Sequence, residues 1–412
     1  MTNAIAGTTT ELTPLQTDAL VARSQALGEP AWLTERRQQA AAAANDLPLP
    51  TPRERAWRYA DLGRLDPGAL ALRFLRTPPG RAITVESGAP LARPLHQALG
   101  ETEARQRLGL LVGHSDGKFE ALAEAAWSDG VYVRIPRDRD LQEPVVIRYR
   151  PRLAGELAGF RHLIHVEQGA RATVVLYLTS GATGESLLPA LGEVFVDDGA
   201  QLDLYTVQEL GGDAAWIAHN RVVLGGHARY RDLQVGIGGR LAKLWLDARL
   251  DGAFSHSEML GSFFGSGRQQ MDVITLQDHF GERSFSDLFY KSAVADQALA
   301  AYYGLVRINP SARMANANQE DRNLLLSDSA RAEADPVLEI LTSEVERCGH
   351  GASAGPVDPE QLFYLQSRGL PQRQATRLLV EGFLMQVFGR VPYEPLREHV
   401  GAAVTRKVQE QG

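Results

Sequence analysis

Between residues 131 and 345 the chain is written in short stretches that alternate apolar and polar with period two, separated by glycine-containing turns. In KLWLDARL, Leu244, Leu246, Ala248 and Leu250 share one face of an extended strand, and Lys243, Trp245, Asp247 and Arg249 share the other. A turn motif recurs at QGARATVVLYL (Ala170), DGAQLDLYTV (Ala200), GGHARYRDLQV (Ala228) and DGAFSHSEML (Ala253), at spacings of 30, 28 and 25 residues. No helix of useful length interrupts these strands. A quasi-period built from strands and turns alone predicts the stacked coils of a β-solenoid. An ordinary antiparallel sandwich is the competing architecture.

The flanks read differently. Residues 1–65 are helical in texture: EPAWLTERRQQAAAAANDLPLP carries an alanine-rich, charge-bearing segment that stops at Pro48 and Pro50. TPRERAWRYADL follows, with Thr51 as N-cap and Pro52 at the first helical position. Residues 66–130 are mixed and end in the helical KFEALAEAAW. After Gly351 the chain turns helical again, so 131–350 is the expected solenoid core and 351–412 a C-terminal helical domain. Asp358 fits an N-cap, with Pro359 at N1 and Gln361 at N3, and Gly369 ends that helix. A second helix is expected from Pro371 to about Gly389. It is apolar around most of its circumference, through Leu378, Leu379, Phe383, Leu384 and Phe388, and so needs cover on more than one side. A third carries Leu396, Val400, Val404 and Val408 at four-residue spacing.

Composition narrows the function classes. The 412 residues carry a net charge of −7 and a pI near 5.9, against the basic face that nucleic acid requires. MTNAIAGTTTELTPLQ lacks a basic n-region followed by an apolar core, and no run approaches the ~18 apolar residues of a membrane span. A cytoplasmic protein without membrane partners is expected. A single cysteine excludes an internal disulfide framework.

Three motifs are candidates for chemistry. GHSDG, Gly113 to Gly117, fits G-x-S-x-G, with LGLLV as a strand before it, KFEALAEAA as a helix after it, and Ser115 as the nucleophile of an α/β-hydrolase-type serine esterase. That fold needs crossover helices between later strands, which the downstream sequence lacks, and a glycine turn capped by Ser115 or Asp116 accounts for the same residues. GIGGRLAK, Gly236 to Lys243, lacks the third glycine of a dinucleotide loop and the G-K-[ST] ending of a P-loop, so it reads as a turn. His162 and His165 stand three apart in the strand RHLIHV and face opposite sides; they, His256 and His279 are assigned no role.

The third motif is ERCGHGASAG. Cys348, the lone cysteine, and His350 are two apart, so an extended backbone points both the same way, about 6.5–7 Å apart. Thiolate and imidazole are both transition-metal ligands, but one thiol cannot hold an iron–sulfur cluster, for which four protein ligands are usual. Either the pair contributes to a site completed by another chain, or Cys348 is an inert buried thiol beside a turn histidine.

Several longer segments then carry a resemblance. DRNLLLSDSARAEADPVLEI, CGHGASAG and DPEQLFYLQSRGL resemble the C-terminal signature of the SufB/SufD family. EPAWLTERRQQA, RERAWRYADL, KFEALAEAAWSDGVYVRIP and HFGERSFSDLFYKS extend the similarity over most of the chain. The resemblance implies a right-handed parallel β-helix flanked by helical segments. Gly351 after His350, and Leu365 after Phe363 and Tyr364, stand where SufB-type chains tend to show H-E-A and F-Y-C, so the similarity is to the SufD-type branch. It further implies a scaffold subunit without enzyme activity of its own, pairing with SufB through β-helix edge strands and with the ATPase SufC through the C-terminal helices. A homodimer is implied for the isolated chain. By motif match His350, and more weakly Cys348, would contribute to a nascent cluster or iron shared with SufB, no cofactor being held stably by this chain alone. Phe363, Tyr364, Arg368, Leu378, Leu379 and Phe383 are the residues expected at the SufC contact.

Overall fold

A computed structural model of the chain describes residues 13–410 except 64, 77–81, 152–154 and 182–183. The first twelve residues, on which the reading of a leader rests, lie outside it. Helices α1 (Thr17–Ala26), α2 (Ala31–Asp46), α3 (Pro67–Arg76), α4 (Leu95–Ala98), α5 (Thr102–Arg107) and α6 (Lys118–Ala126) precede the solenoid; α7 (Pro359–Ser367), α8 (Gln372–Met385) and α9 (Glu394–Glu410) follow it. Among the described residues no helix is long and apolar enough to cross a membrane.

From Trp127–Ile135 onward successive strands alternate between two nine-stranded sheets, and each pairs in parallel with the one two places away. Arg229–Gly236, for example, lies parallel between Gln201–Glu209 and His256–Gly265. This is a parallel β-solenoid; the sandwich alternative is set aside. The period-two pattern works as expected: Leu244, Leu246, Ala248 and Leu250 point inward and are fully buried. Their neighbours Lys243, Trp245 and Asp247 face out, but they too are covered, because the N-terminal helices pack on that sheet.

The turn repeat needs one correction. Ala170, Ala200 and Ala228 occupy the same buried turn position, but the next member is Ser255, not Ala253: His256 N–H donates to Ala228 O, and Phe285 N–H to Ser255 O. Ala253 lies exposed two residues earlier. The coil turns instead with left-handed backbone at Gly199 (φ 68°), His227 (φ 55°) and Phe254 (φ 59°) in successive coils. Because the turn tolerates other residues there, glycine spacing is a misleading ruler.

The second N-terminal helix also differs. Thr51 N–H donates to Glu54 Oε1 at 2.8 Å, but only a 3-10 turn, Arg55–Trp57, follows. Trp57 is drawn instead into an aromatic cluster, with ring centroids 5.0 Å from Phe119 and 4.9 Å from Trp245. That burial outweighs the few residues of helix it displaces.

The two ends of the solenoid are built differently. At the N-terminal end the sheets finish in short antiparallel strands, Ile83–Ser87 against Val145–Tyr149 and Ala92–Pro94 against Trp127–Ile135. Short edge strands, one of them ending in Pro94, resist further pairing. At the C-terminal end the last strands, Arg331–Ile340 and Val345–Pro356, each have a partner on one side only and are half-buried to exposed along their length.

Candidate functional site

His350 and Cys348 lie on Val345–Pro356, the final strand of its sheet. Its register on Ala315–Leu325 places Cys348 beside Ala317 and His350 beside Gln319. Ala317 is buried in the interior with Val306 and Ile308, and Cys348 packs partly buried on that group. His350 shares its side of the strand and therefore stands at the mouth of the solenoid, exposed. No hydrogen bond or ion pair engages its ring among the described residues. Behind it Gln319 is only 1% exposed, and neither atom of its amide has a partner.

The two candidate ligands differ in chemistry. Burial pushes the Cys348 thiol up, so at neutral pH it is protonated, whereas metals bind the thiolate. The His350 imidazole is exposed, and an imidazole nitrogen is a common transition-metal ligand. Interior polarity rises toward this end. Asp321, one strand in, is raised to about 7 by burial, which the hydrogen bond from Asn323 only partly offsets. Gln277 from the opposite sheet is fully buried with both amide atoms unpartnered.

The C-terminal helices clasp the outer face of the sheet that carries this strand. Asp358 caps α7 by accepting from Glu360 N–H at 2.9 Å, and Gly369 (φ +92°) follows it. Val380, Leu384 and Phe388 pack with Leu396, Val400 and Val404 of α9 on Tyr205, Leu233 and Leu260 of the solenoid. The wide apolar surface of α8 is thus covered from two sides within the chain. Leu379 is half-buried, and Phe383 is partly buried under Lys291, whose Nζ lies 4.1 Å from its ring centroid. Facing outward are Phe363 (71% exposed), Tyr364 and Leu378, with Arg368 over the Tyr364 ring at 5.2 Å.

The other motifs resolve into structure. LGLLV is not a strand, so GHSDG lacks the strand–turn–helix of a nucleophile elbow. Gly113 N–H donates to Asp116 Oδ2 at 2.9 Å, His114 is held by Glu124 at 2.7 Å, and Ser115 is an exposed turn residue. GIGGRLAK is a coil turn, where a Cβ at Gly238 would meet Leu210 O at 2.2 Å.

The histidines in the strands are more engaged than their spacing suggests. His162 is buried inside the solenoid, where burial lowers it to about 4. His219 bridges Glu120 (2.9 Å) and Asp247 (3.0 Å). Burial alone would lower it, but its hydrogen bonds to Asp247 and Glu120 and their charges raise it to about 9. His279 is hydrogen-bonded to Ser284 and Ser286 at 2.8 Å each. No local spacing could have revealed the His219 bridge, because Glu120 lies 99 residues from it.

Fold and site together define a β-solenoid protein with a helical layer on each sheet and its ligand-type side chains at an uncapped edge. The model of the SUF-system FeS cluster assembly SufBD core domain matches residues 153–383, more than half of the chain, and the chain belongs to the SufB/SufD family of iron–sulfur cluster assembly proteins. It is 29% identical to the iron–sulfur cluster assembly protein SufD of Bacillus subtilis, over 92% of this chain and 95% of that one. A SufBD family protein of Mycobacterium tuberculosis is 29% identical over 88% and 90%. Another from Synechocystis is 26% identical over 96% and 94%. The resemblance read from the signature segments is borne out.

Proposed function

We propose that the chain is a SufD-type, non-catalytic scaffold subunit that pairs with SufB and the ATPase SufC and lends His350 to a nascent cluster at the interface with SufB. The observation that carries this reading is the place of His350: exposed, unpartnered among the described residues, and on a final strand whose outer edge none of them covers. A free edge offers backbone donors and acceptors to an added strand, so a second solenoid docking there would bring its own ligands against His350. The cluster is cargo of such a pair. Cys348, protonated and half-buried, is the lesser contributor.

The C-terminal unit 351–412, whose first residues complete the last strand Val345–Pro356 before α7 begins at Pro359, is the proposed dock for SufC, and 1–65, 66–130 and 131–350 are the remaining units of the chain. Phe363, Tyr364 and Leu378 supply apolar anchors, and Arg368 a charged one, on a face the chain leaves uncovered. Leu379 and Phe383 support that face from beneath. Co-expression with SufB and SufC tests the assignment. Phe363→Asp and Leu378→Asp are expected to release SufC, keep SufB and leave the melting temperature of the isolated chain unchanged. Wild-type recovery of SufC with both variants would move its contact elsewhere.

A further inference from the structure

A second group of metal-ligating side chains lies far from the C-terminal edge, in a cleft of about 610 Å³ along the turns of the first coils. His165, at the end of strand Gly159–Val166, forms its floor, with Glu167 two residues on and Glu103 reaching across from α5. Each of the three brings a ligand atom within 4.8 Å of the others.

The imidazole is held as an outer-shell carboxylate holds a metal-ligating histidine. Its side chain is 2% exposed, and Nε2 lies 2.9 Å from Asp197 Oδ2. A carboxylate only accepts, so Nε2 donates to Asp197, and in the neutral imidazole Nδ1 then presents a lone pair toward Glu103; the Arg107 guanidinium, 3.3 Å from Nε2, is the weaker contact. Nδ1 sits 3.1 Å from Glu103 Oε1 and has no hydrogen-bond partner among the described residues. In that neutral form a lone pair and a carboxylate oxygen stand 3.1 Å apart with no proton between them, an arrangement that a cation bound to both would stabilise. An ion about 2.1 Å from both atoms would see them at roughly 95°, close to an octahedral edge.

Two guanidiniums of the cleft, Arg134 and Arg107, now reach these carboxylates. Arg134 Nη2 lies 2.6 Å from Glu167 Oε1 and 3.7 Å from Glu103 Oε2, between the two carboxylates. Its side chain is 41% exposed and can swing into solvent. Arg107 Nη1 also pairs with Glu103 Oε1 at 2.8 Å, and Arg137 N–H donates to Glu167 Oε2 at 3.0 Å, so both carboxylates are held in place by groups of the protein.

We propose that Glu103, His165 and Glu167 form a site for a divalent first-row transition-metal ion, with Arg134 as the side chain that yields its place when the ion binds. One imidazole nitrogen with two carboxylates favours Mn²⁺, Fe²⁺, Co²⁺ or Zn²⁺ over Mg²⁺ or Ca²⁺. Asp197 is the positioning residue that fixes the tautomer.

The test is a titration of the full chain with Co²⁺, followed by its visible absorption, in a Cys348→Ala/His350→Ala background that silences the C-terminal residues. One Co²⁺ per chain is expected, undisturbed by millimolar Mg²⁺. Glu103→Gln and His165→Gln are each expected to weaken binding at least ~10-fold. Glu103 is partly exposed on a surface helix, so its variant keeps the test open if the buried His165 variant fails to fold. Arg134→Ala is expected to tighten binding several-fold, because it removes the competing cation; a structural ion-pair network gives no such gain. Absence of stoichiometric Co²⁺ in the folded chain, binding indifferent to Glu103→Gln, or weaker binding in Arg134→Ala would each overturn the proposal.

Discussion

The two ends of the solenoid solve the same problem in opposite ways. At the N-terminal end the edges are blocked by short antiparallel strands, and the interior is filled by Val131, Ile164, Val174 and Leu176. The outer face there is bound to α6 by buried charge: Arg161 reaches Glu193 at 2.8 Å and Glu124 at 3.4 Å. Burial would raise Glu124, but Arg161 and Arg36 outweigh it and hold the carboxyl below its usual range. At the C-terminal end no strand among the described residues follows the last two in their sheets, the interior carries unpartnered amides, and the histidine is exposed. A solenoid gains stability coil by coil from nearest neighbours, so a final coil without a neighbour is the weakest. Leaving it open sacrifices stability, and a partner strand would restore what is missing.

Three perturbations sharpen that contrast, beginning with the largest. Arg161→Met removes the cation between two buried carboxylates and is expected to cost about 3–5 kcal/mol, read from chemical denaturation. A loss below about 1 kcal/mol would mean that Arg36 and the backbone N–H groups of Gly109 and Leu111 suffice to hold those carboxylates.

The next concerns pH. His219 stands near 9 in the fold against about 6.5 unfolded, so the folded state binds the extra proton between those values. Its contribution, of order 3 kcal/mol, is complete below pH 6.5 and fades as pH rises through 9. Denaturation midpoints of the wild type should fall across that window, and those of His219→Gln should fall less. Parallel curves would contradict the bridged imidazolium.

The smallest effect belongs to the open end. Gln319→Leu exchanges a buried amide without partners for an apolar group, and stability should stay level or rise by about 1 kcal/mol. A loss of several kcal/mol would show that the amide is satisfied, by ordered water or otherwise, and that this end is as tightly determined as the other.

Much of the fold is legible in the amino-acid pattern. Inward and outward faces follow from period two, as at Leu244 and Trp245, because a strand has only two sides. The helix start at Asp358 and its end at Gly369 follow from capping chemistry that acts within four residues. His350 stands out by its motif. Hidden from the sequence is whatever depends on distant packing: Trp57 leaving its helix for Phe119 and Trp245, Ser255 taking the place expected of Ala253, and Glu103 arriving beside His165 from 62 residues away. Least legible is that His350 stands at a free edge, since that depends on which coil is last.

The central claim is that this free edge presents a ligand for a cluster built with a partner. Its most direct test is the iron and acid-labile sulfide content of the reconstituted complex with SufB and SufC, measured for wild type and His350→Ala alongside subunit stoichiometry. The account predicts that the variant assembles all three subunits in unchanged ratio but forms no cluster, with Cys348→Ala the milder of the two changes. A His350→Ala complex carrying wild-type iron and sulfide would contradict it.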